Sequence, residues 1–167
     1  MRRVPGAIVF LVGFMGAGKT TAGKALARLL GWDFVDLDDL IVEAEKRSIP
    51  RIFAEDGEAH FRRAEGAILA SLRGRTRLVV ACGGGTYATD AGRAVVDTLG
   101  RAVWIQVPLA QALVRCERGA ARPLLQGEAQ AEALYRARLP YYRSAPLRVE
   151  AEGLRPDQVA ERIAELL

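Results

Sequence analysis

A chain of 167 residues, 50% apolar and 26% charged, is the size of one domain and can bury about two-thirds of its unfolded surface without a disulfide or metal staple. This composition excludes collagen-like, disordered and disulfide-scaffold classes, and a single histidine, His60, excludes a histidine-rich metal centre. The formal net charge of +4 rests on arginines scattered from Arg2 to Arg162, with only Lys19, Lys24 and Lys46 as lysines; that spread favours small anionic ligands over a nucleic-acid stripe.

In chain order, Ala7–Val12 is a short apolar run that predicts a strand buried on both faces. Arg2-Arg3 before it imitates a signal peptide. Cleavage there would remove the glycine-rich loop that follows, so a cytoplasmic protein is expected. Ala22, Ala25, Leu26, Leu29 and Leu30 recur at helical spacing, and Gly31 stops that helix. Asp33–Asp36 predicts a second strand; 40–47 is helical, with Pro50 as its breaker. A long helix is expected over 58–72, then strands over 78–82 and 102–107. A helix over 109–118 leads into a polar, glycine-containing stretch, 119–128, read as a mobile loop. A helix over 129–139, a fifth strand over 147–150 and a closing helix over 156–166 complete the pattern. Strands alternating with helices predict a three-layer α/β/α fold with a five-stranded parallel sheet, in one domain spanning 1–167. No run approaches the ~18 apolar residues of a membrane span.

Gly13-Phe14-Met15-Gly16-Ala17-Gly18-Lys19-Thr20 matches GxxxxGK[ST] in full, with strand before and helix after. Such glycines let successive backbone N–H groups turn inward on an anion, and the next helix adds its positive end. Lys19 can then reach the β- and γ-phosphates of ATP, and the Thr20 hydroxyl can ligate Mg²⁺. The chain has no asparagine and no Lys-x-Asp, so the guanine-reading motif of switch GTPases is absent. Small phosphotransferases lead.

Asp36-Leu37-Asp38 follows the second strand. On an extended segment both carboxylates would share a face, suited to Mg²⁺ and an acceptor hydroxyl; the plain alternative is that Asp38-Asp39 caps the next helix. Glu58 and Arg62 are spaced to bridge on a helix. Gly83-Gly84-Gly85 after a buried strand makes sense where a ligand approaches the backbone closely. Arg115 and Arg122 flank or lie in the 119–128 loop, where an arginine can neutralise a transferring phosphoryl group, or simply be solvated. Arg138, before Pro140, has a helix-capping alternative.

Taken together, GFMGAGKT, Asp36-Leu37-Asp38, Gly57-Glu58-Ala59-His60-Phe61-Arg62, Gly83-Gly84-Gly85, Arg122-Pro123-Leu124-Leu125 and Arg138-Leu139-Pro140-Tyr141-Tyr142 resemble the shikimate kinases over nearly the whole chain. The resemblance implies a nucleoside monophosphate kinase-like P-loop fold, with a substrate-binding region at about 37–65 and a lid at about 117–128. It implies transfer of the ATP γ-phosphate to the 3-hydroxyl of shikimate, giving shikimate 3-phosphate and ADP on the route to chorismate and the aromatic amino acids. Gly13, Met15, Gly16, Ala17, Gly18, Lys19, Thr20 and Thr21 would hold ATP, with Arg115 and Pro156 beside adenine and Arg122 closing over the phosphates. Thr20 and Asp36 would hold Mg²⁺. Asp38 would touch the substrate hydroxyls as the base. Arg62 and Arg138 would pair with the substrate carboxylate, Gly84 and Gly85 would offer backbone, and Phe53 and Phe61 would wall the pocket. A monomer without nucleic-acid or membrane partners is expected.

Cys82, Tyr141 and Ser144-Ala145 depart from the family pattern; Cys82 raises the expectation of a thiol-sensitive strand end. Two alternatives stay open: a kinase of another small hydroxylated metabolite such as gluconate or a nucleoside monophosphate, and a nucleotide-binding module without catalysis.

Overall fold

The elements run β1 (Ile8–Val12), α1 (Lys19–Leu30), β2 (Asp33–Asp36), α2 (Leu37–Glu45), α3 (Ile49–Ser71), β3 (Leu78–Ala81), α4 (Asp90–Leu99), β4 (Gly100–Gln106), α5 (Leu109–Glu117), α6 (Glu128–Arg143), β5 (Leu147–Glu150) and α7 (Pro156–Leu166). They come from a computed structural model that describes residues 7–117 and 127–167. The five strands form one parallel sheet in the order β2-β3-β1-β4-β5. Helices cover it, as parallel strands require, giving the expected α/β architecture. The continuous apolar runs occupy its centre: every residue of β1 and β3 is buried. No helix among the described residues is long and apolar enough to cross a membrane.

Register aligns the functional ends. Asp36 pairs with Ala81, Ala81 with Leu11, and Val12 with Trp104. The loops after β2, β3 and β1 therefore leave side by side from one edge of the sheet, where ligands of such folds bind.

Four local expectations change. Asp38 is not on an extended segment: α2 starts at Leu37, and its N-cap is Asp36, whose side chain accepts from the N–H groups of Asp38 and Asp39. The capping carboxylate is thus Asp36, not the Asp38-Asp39 pair. Pro50 breaks no helix; it sits in the first turn of α3 behind the N-cap Ser48, where its missing N–H is harmless. The long helix instead breaks at Gly57, whose φ of 80° and ψ of 175° interrupt α3. Finally, α6 runs through Pro140 to Arg143, so Arg138 is buried inside the helix and is no C-terminal cap. The helix α4 was not anticipated.

Candidate active site

The phosphate loop is built from main chain. Gly13, Gly16 and Gly18 all have positive φ, a conformation costly for residues with a Cβ. Lys19 donates from Nζ to the carbonyls of Gly13 (2.7 Å) and Phe14 (3.0 Å), which folds its ammonium over the loop. Thr20 Oγ1 donates to Asp36 Oδ2 at 2.6 Å. Asp36 Oδ1 accepts from Asp38 N–H at 2.9 Å. One carboxylate thus caps α2, a contact commonly stabilising by about 1 kcal/mol, and joins α1 to the end of β2.

The Thr20 hydroxyl and Asp36 carboxylate form a hard-oxygen pair next to the loop. This pair fits Mg²⁺, which takes one or two protein oxygens and completes its shell from phosphates and water. Among the described residues no cluster of three or more His, Cys, Asp or Glu forms a larger metal cage.

Beside the loop, Gly16, Ala17, Gly18 and Thr21 line a hollow with Arg115, Leu154 and Pro156. Arg115 Nη1 donates to the Gly16 carbonyl at 3.3 Å. Arg115 and Pro156, which the family resemblance places beside adenine, line the same hollow, together with Leu154 and Val159.

On the other side of Met15 lies a second pocket, lined by Asp38, Phe53, Phe61, Arg62, Glu65, Arg138 and the triple glycine. Met15 of the phosphate loop also lines this pocket. The phenylalanine rings lie 4.9 Å apart. The glycines are close-approach positions: a Cβ on Gly83 would stand 3.0 Å from Asp38 Oδ1, one on Gly84 2.9 Å from Arg138 Nη1, and one on Gly85 would collide with the Arg62 guanidinium.

The two arginines are buried or half-buried and undersatisfied. Arg62 Nη1 donates to Glu65 Oε1 at 2.8 Å, and its Nη2 lies 3.7 Å from Glu58 Oε1. Arg138 is 6% exposed, and desolvation, first, holds its guanidinium pKa below the usual arginine value. Arg62 Nε and Arg138 Nη1 are buried with no hydrogen-bond partner among the described residues. An unpaired buried donor costs about 1–3 kcal/mol, more when charged, so the pocket favours an anion that meets both.

Sequence reasoning missed three groups that support these arginines. Buried Glu65 accepts from Arg62 and, at 2.8 Å, from the Thr86 hydroxyl. Tyr142 donates to the Gly84 carbonyl at 2.5 Å. The signal was present: Glu65 lies three residues after Arg62 and Tyr142 four after Arg138, each on a shared helix face. Cys82 is buried, and burial, then Glu65, pushes its thiol pKa up; such a thiol is inert, against the expectation of a thiol-sensitive strand end. Arg122 and residues 118–126 of the expected lid lie outside the described residues.

This geometry agrees with what the chain is similar to. The shikimate kinase family model matches residues 15–167. The chain belongs to the shikimate kinase family. It is 44% identical over 163 residues to shikimate kinase from Synechococcus elongatus, covering 95% of this chain and 85% of the relative. A shikimate kinase from Halorhodospira halophila is also 44% identical, over 95% of this chain and 92% of its own length. Among solved structures, shikimate kinase from Acinetobacter baumannii in complex with shikimate superposes with a TM-score of 0.90 at 37% identity, covering 97% of this chain and 93% of that one. Shikimate kinases are ATP-dependent, and this chain is an ATP-dependent small-molecule kinase.

Proposed function

We propose that this shikimate kinase family member transfers the γ-phosphate of ATP to the 3-hydroxyl of shikimate, giving shikimate 3-phosphate and ADP. The observation that carries the acceptor assignment is the pair of buried, partnerless donors, Arg62 Nε and Arg138 Nη1, in the pocket that Asp38 also lines. A planar carboxylate suits two arginine forks, and the hydroxyl end of the same molecule falls to Asp38.

The roles follow from chemistry. The loop N–H groups and Lys19 hold the phosphates, with Arg115 and Pro156 beside adenine. Thr20 and Asp36 hold Mg²⁺, which when bound neutralises charge on the phosphate oxygens. Asp38 orients the acceptor hydroxyl and takes its proton. Arg62 and Arg138 anchor the carboxylate, Gly84 and Gly85 present backbone, and Phe53 and Phe61 close the apolar flank. Arg122, from the lid segment, is proposed to meet the transferring phosphoryl group. Phosphoryl transfer demands mainly positioning and charge stabilisation, and in-line transfer without a phosphoenzyme suffices. Small soluble substrates suit a monomeric cytoplasmic enzyme.

The test is ADP release from MgATP with and without shikimate at equal enzyme. Strong shikimate-dependent release is expected. ATP binding without it, with turnover on gluconate or a nucleoside monophosphate instead, would reassign the acceptor.

A further inference from the structure

Thr86 is a fully buried residue just past the triple glycine, and its main chain is fixed at both ends. Its N–H donates to the Gly83 carbonyl at 3.2 Å. Gly92 of α4 packs so close to its carbonyl that a Cβ there would collide with it. From this braced turn the side chain crosses to α3, where Oγ1 donates to Glu65 Oε2 at 2.8 Å. Glu65 is itself buried, and its other oxygen, Oε1, accepts from Arg62 Nη1 at 2.8 Å.

Each oxygen of the Glu65 carboxylate thus has a donor of its own, and this division decides which edge of Arg62 is left over. A guanidinium is a planar fork of donors, and its Nε–H and one Nη2–H share the edge that grips a carboxylate side-on. Here Nε is buried with no hydrogen-bond partner among the described residues. Nη2 meets Glu58 Oε1 only at 3.7 Å, on a side chain 56% exposed, a contact too long and too wet to hold it. Glu65 therefore takes Nη1 and leaves the Nε–Nη2 edge open. Without the Thr86 hydroxyl, Oε2 would be a buried acceptor in need of a donor, which is costly, and the nearest remaining ones lie on that edge.

We propose that Thr86 is a positioning residue for the acceptor: its hydroxyl occupies the second oxygen of Glu65, confines that carboxylate to Nη1 of Arg62, and keeps the Nε–Nη2 edge for the substrate carboxylate. This role rests on the acceptor reading given above. Thr86 acts through Glu65, which lines the pocket beside Arg62. A Glu65 that held Arg62 with both oxygens would aim it equally well, but it would consume the edge that the substrate needs. The same bond ties the turn presenting Gly84 and Gly85 to the helix carrying Arg62, so two sides of the pocket keep one spacing. The helix α4 enters the site by this route, as the brace behind Thr86.

The experiment is steady-state kinetics of Thr86→Val, Thr86→Ser, Arg62→Met and the double variant of Thr86→Val with Arg62→Met, with ATP and shikimate varied in turn. Thr86→Val keeps the side-chain shape and removes the donor. Its KM for shikimate should rise about tenfold, the weight of one hydrogen bond to a charged group. Its kcat and KM for ATP should stay within about twofold, as for a contact equally strong in ground and transition states. Thr86→Ser restores the donor and should return the KM for shikimate to within about twofold of wild type. In the Arg62→Met background Thr86→Val should add no more than about twofold, because the group being positioned is gone. A merely structural role would move kcat and both KM values together, or persist undiminished in the Arg62→Met background. Either result overturns the proposal, as does an unmoved KM for shikimate in Thr86→Val or a Thr86→Ser that behaves like it. Should Thr86→Val fail to fold, Thr86→Cys retains a weaker donor; its KM for shikimate should rise severalfold at unchanged kcat, and no rise overturns the role. Wild-type enzyme without shikimate-dependent turnover would remove the acceptor reading together with this role; wild-type turnover with an unmoved Thr86→Val removes this role alone.

Discussion

The phosphate loop and the acceptor pocket meet at Met15, yet they are prepared for their anions in opposite ways. Around Gly13–Thr20 the recognising groups are main-chain N–H donors and one lysine, set by backbone turns within eight consecutive residues. In the pocket they are side chains from α2, α3 and α6. Their positions depend on partners far away in sequence: Thr86 on Glu65, and Tyr142 on Gly84. A site made of backbone needs glycine and little else. A site made of buried charge needs a supporting shell, and that shell decides which charge is satisfied and which is left for substrate.

The comparison breaks if the two halves cannot be disabled separately. The largest separation is expected at Asp38→Asn. Loss of the base should lower kcat by about 10²–10⁴-fold, while ATP affinity, measured by calorimetry, stays within about twofold. A parallel loss of ATP affinity would mean that Asp38 belongs to the nucleotide half.

The next effect sharpens the contrast inside the pocket. Arg62→Met and Arg138→Met should each raise the KM for shikimate by about ten- to a hundredfold, the loss of a charged hydrogen bond. Their stabilities should move apart. Arg62→Met strands Glu65, which is 4% exposed, and should cost about 3 kcal/mol, the low end for breaking a buried pair. Arg138→Met removes a buried charge that has no ionic partner among the described residues, and should leave Tm unchanged or raise it. Equal losses of Tm would show that the arginines are held alike.

What the sequence made legible follows the same division. The central strands β1, β3 and β4 were readable because a buried strand of a parallel sheet is a short apolar run, whereas the edge strands β2 and β5 are partly polar and partly exposed. The phosphate loop was readable because its constraint is local. Asp36 was found, but its geometry was not: strand end and helix start share that residue, and the cap bonds to the N–H groups of Asp38 and Asp39 decide which element Asp38 joins. The α4 helix escaped because its apolar content is thin, with Val96 its only buried residue. Arg138 carries a helix-capping alternative in the sequence only because Pro140 is expected to end its helix, whereas α6 continues through Pro140 to Arg143. Tyr142 sits one helical turn from Arg138 in the sequence, but its bond to Gly84, 58 positions away, is legible only in the fold.

A third effect tests how α3 carries Phe61 and Arg62. Gly57 takes a backbone conformation essentially reserved for glycine. A Cβ there would touch nothing within 4 Å, so Gly57→Ala isolates backbone strain from packing. A loss of about 2 kcal/mol is expected by denaturant titration, with a raised KM for shikimate and an unmoved KM for ATP. A neutral Gly57→Ala would mean that the break in α3 positions nothing.

The smallest effect lies in the charges wrapped around that break. Arg47 bonds Glu45 of α2 at 3.1 Å, and Glu55 at 2.8 Å and Asp56 at 2.5 Å just before the break. His60, just beyond it, reaches Glu45 at 3.1 Å. Arg47 holds the Asp56 carboxyl below its ordinary range; Arg51, then Arg47, does so for Glu55, and His60, then Arg47, for Glu45. Groups with depressed folded-state values contribute stability that is present above their unfolded values, about 4, and lost as pH falls through the folded ones. Wild-type Tm should therefore fall on acidification below about pH 4, and Arg47→Met should flatten that limb. Because the cluster is at the surface, the difference should be small and should shrink further in high salt. Shikimate KM at neutral pH should change less than in Gly57→Ala, since the backbone break persists without its charges. An acid limb equally steep in both proteins would assign the α2–α3 elbow to backbone geometry alone.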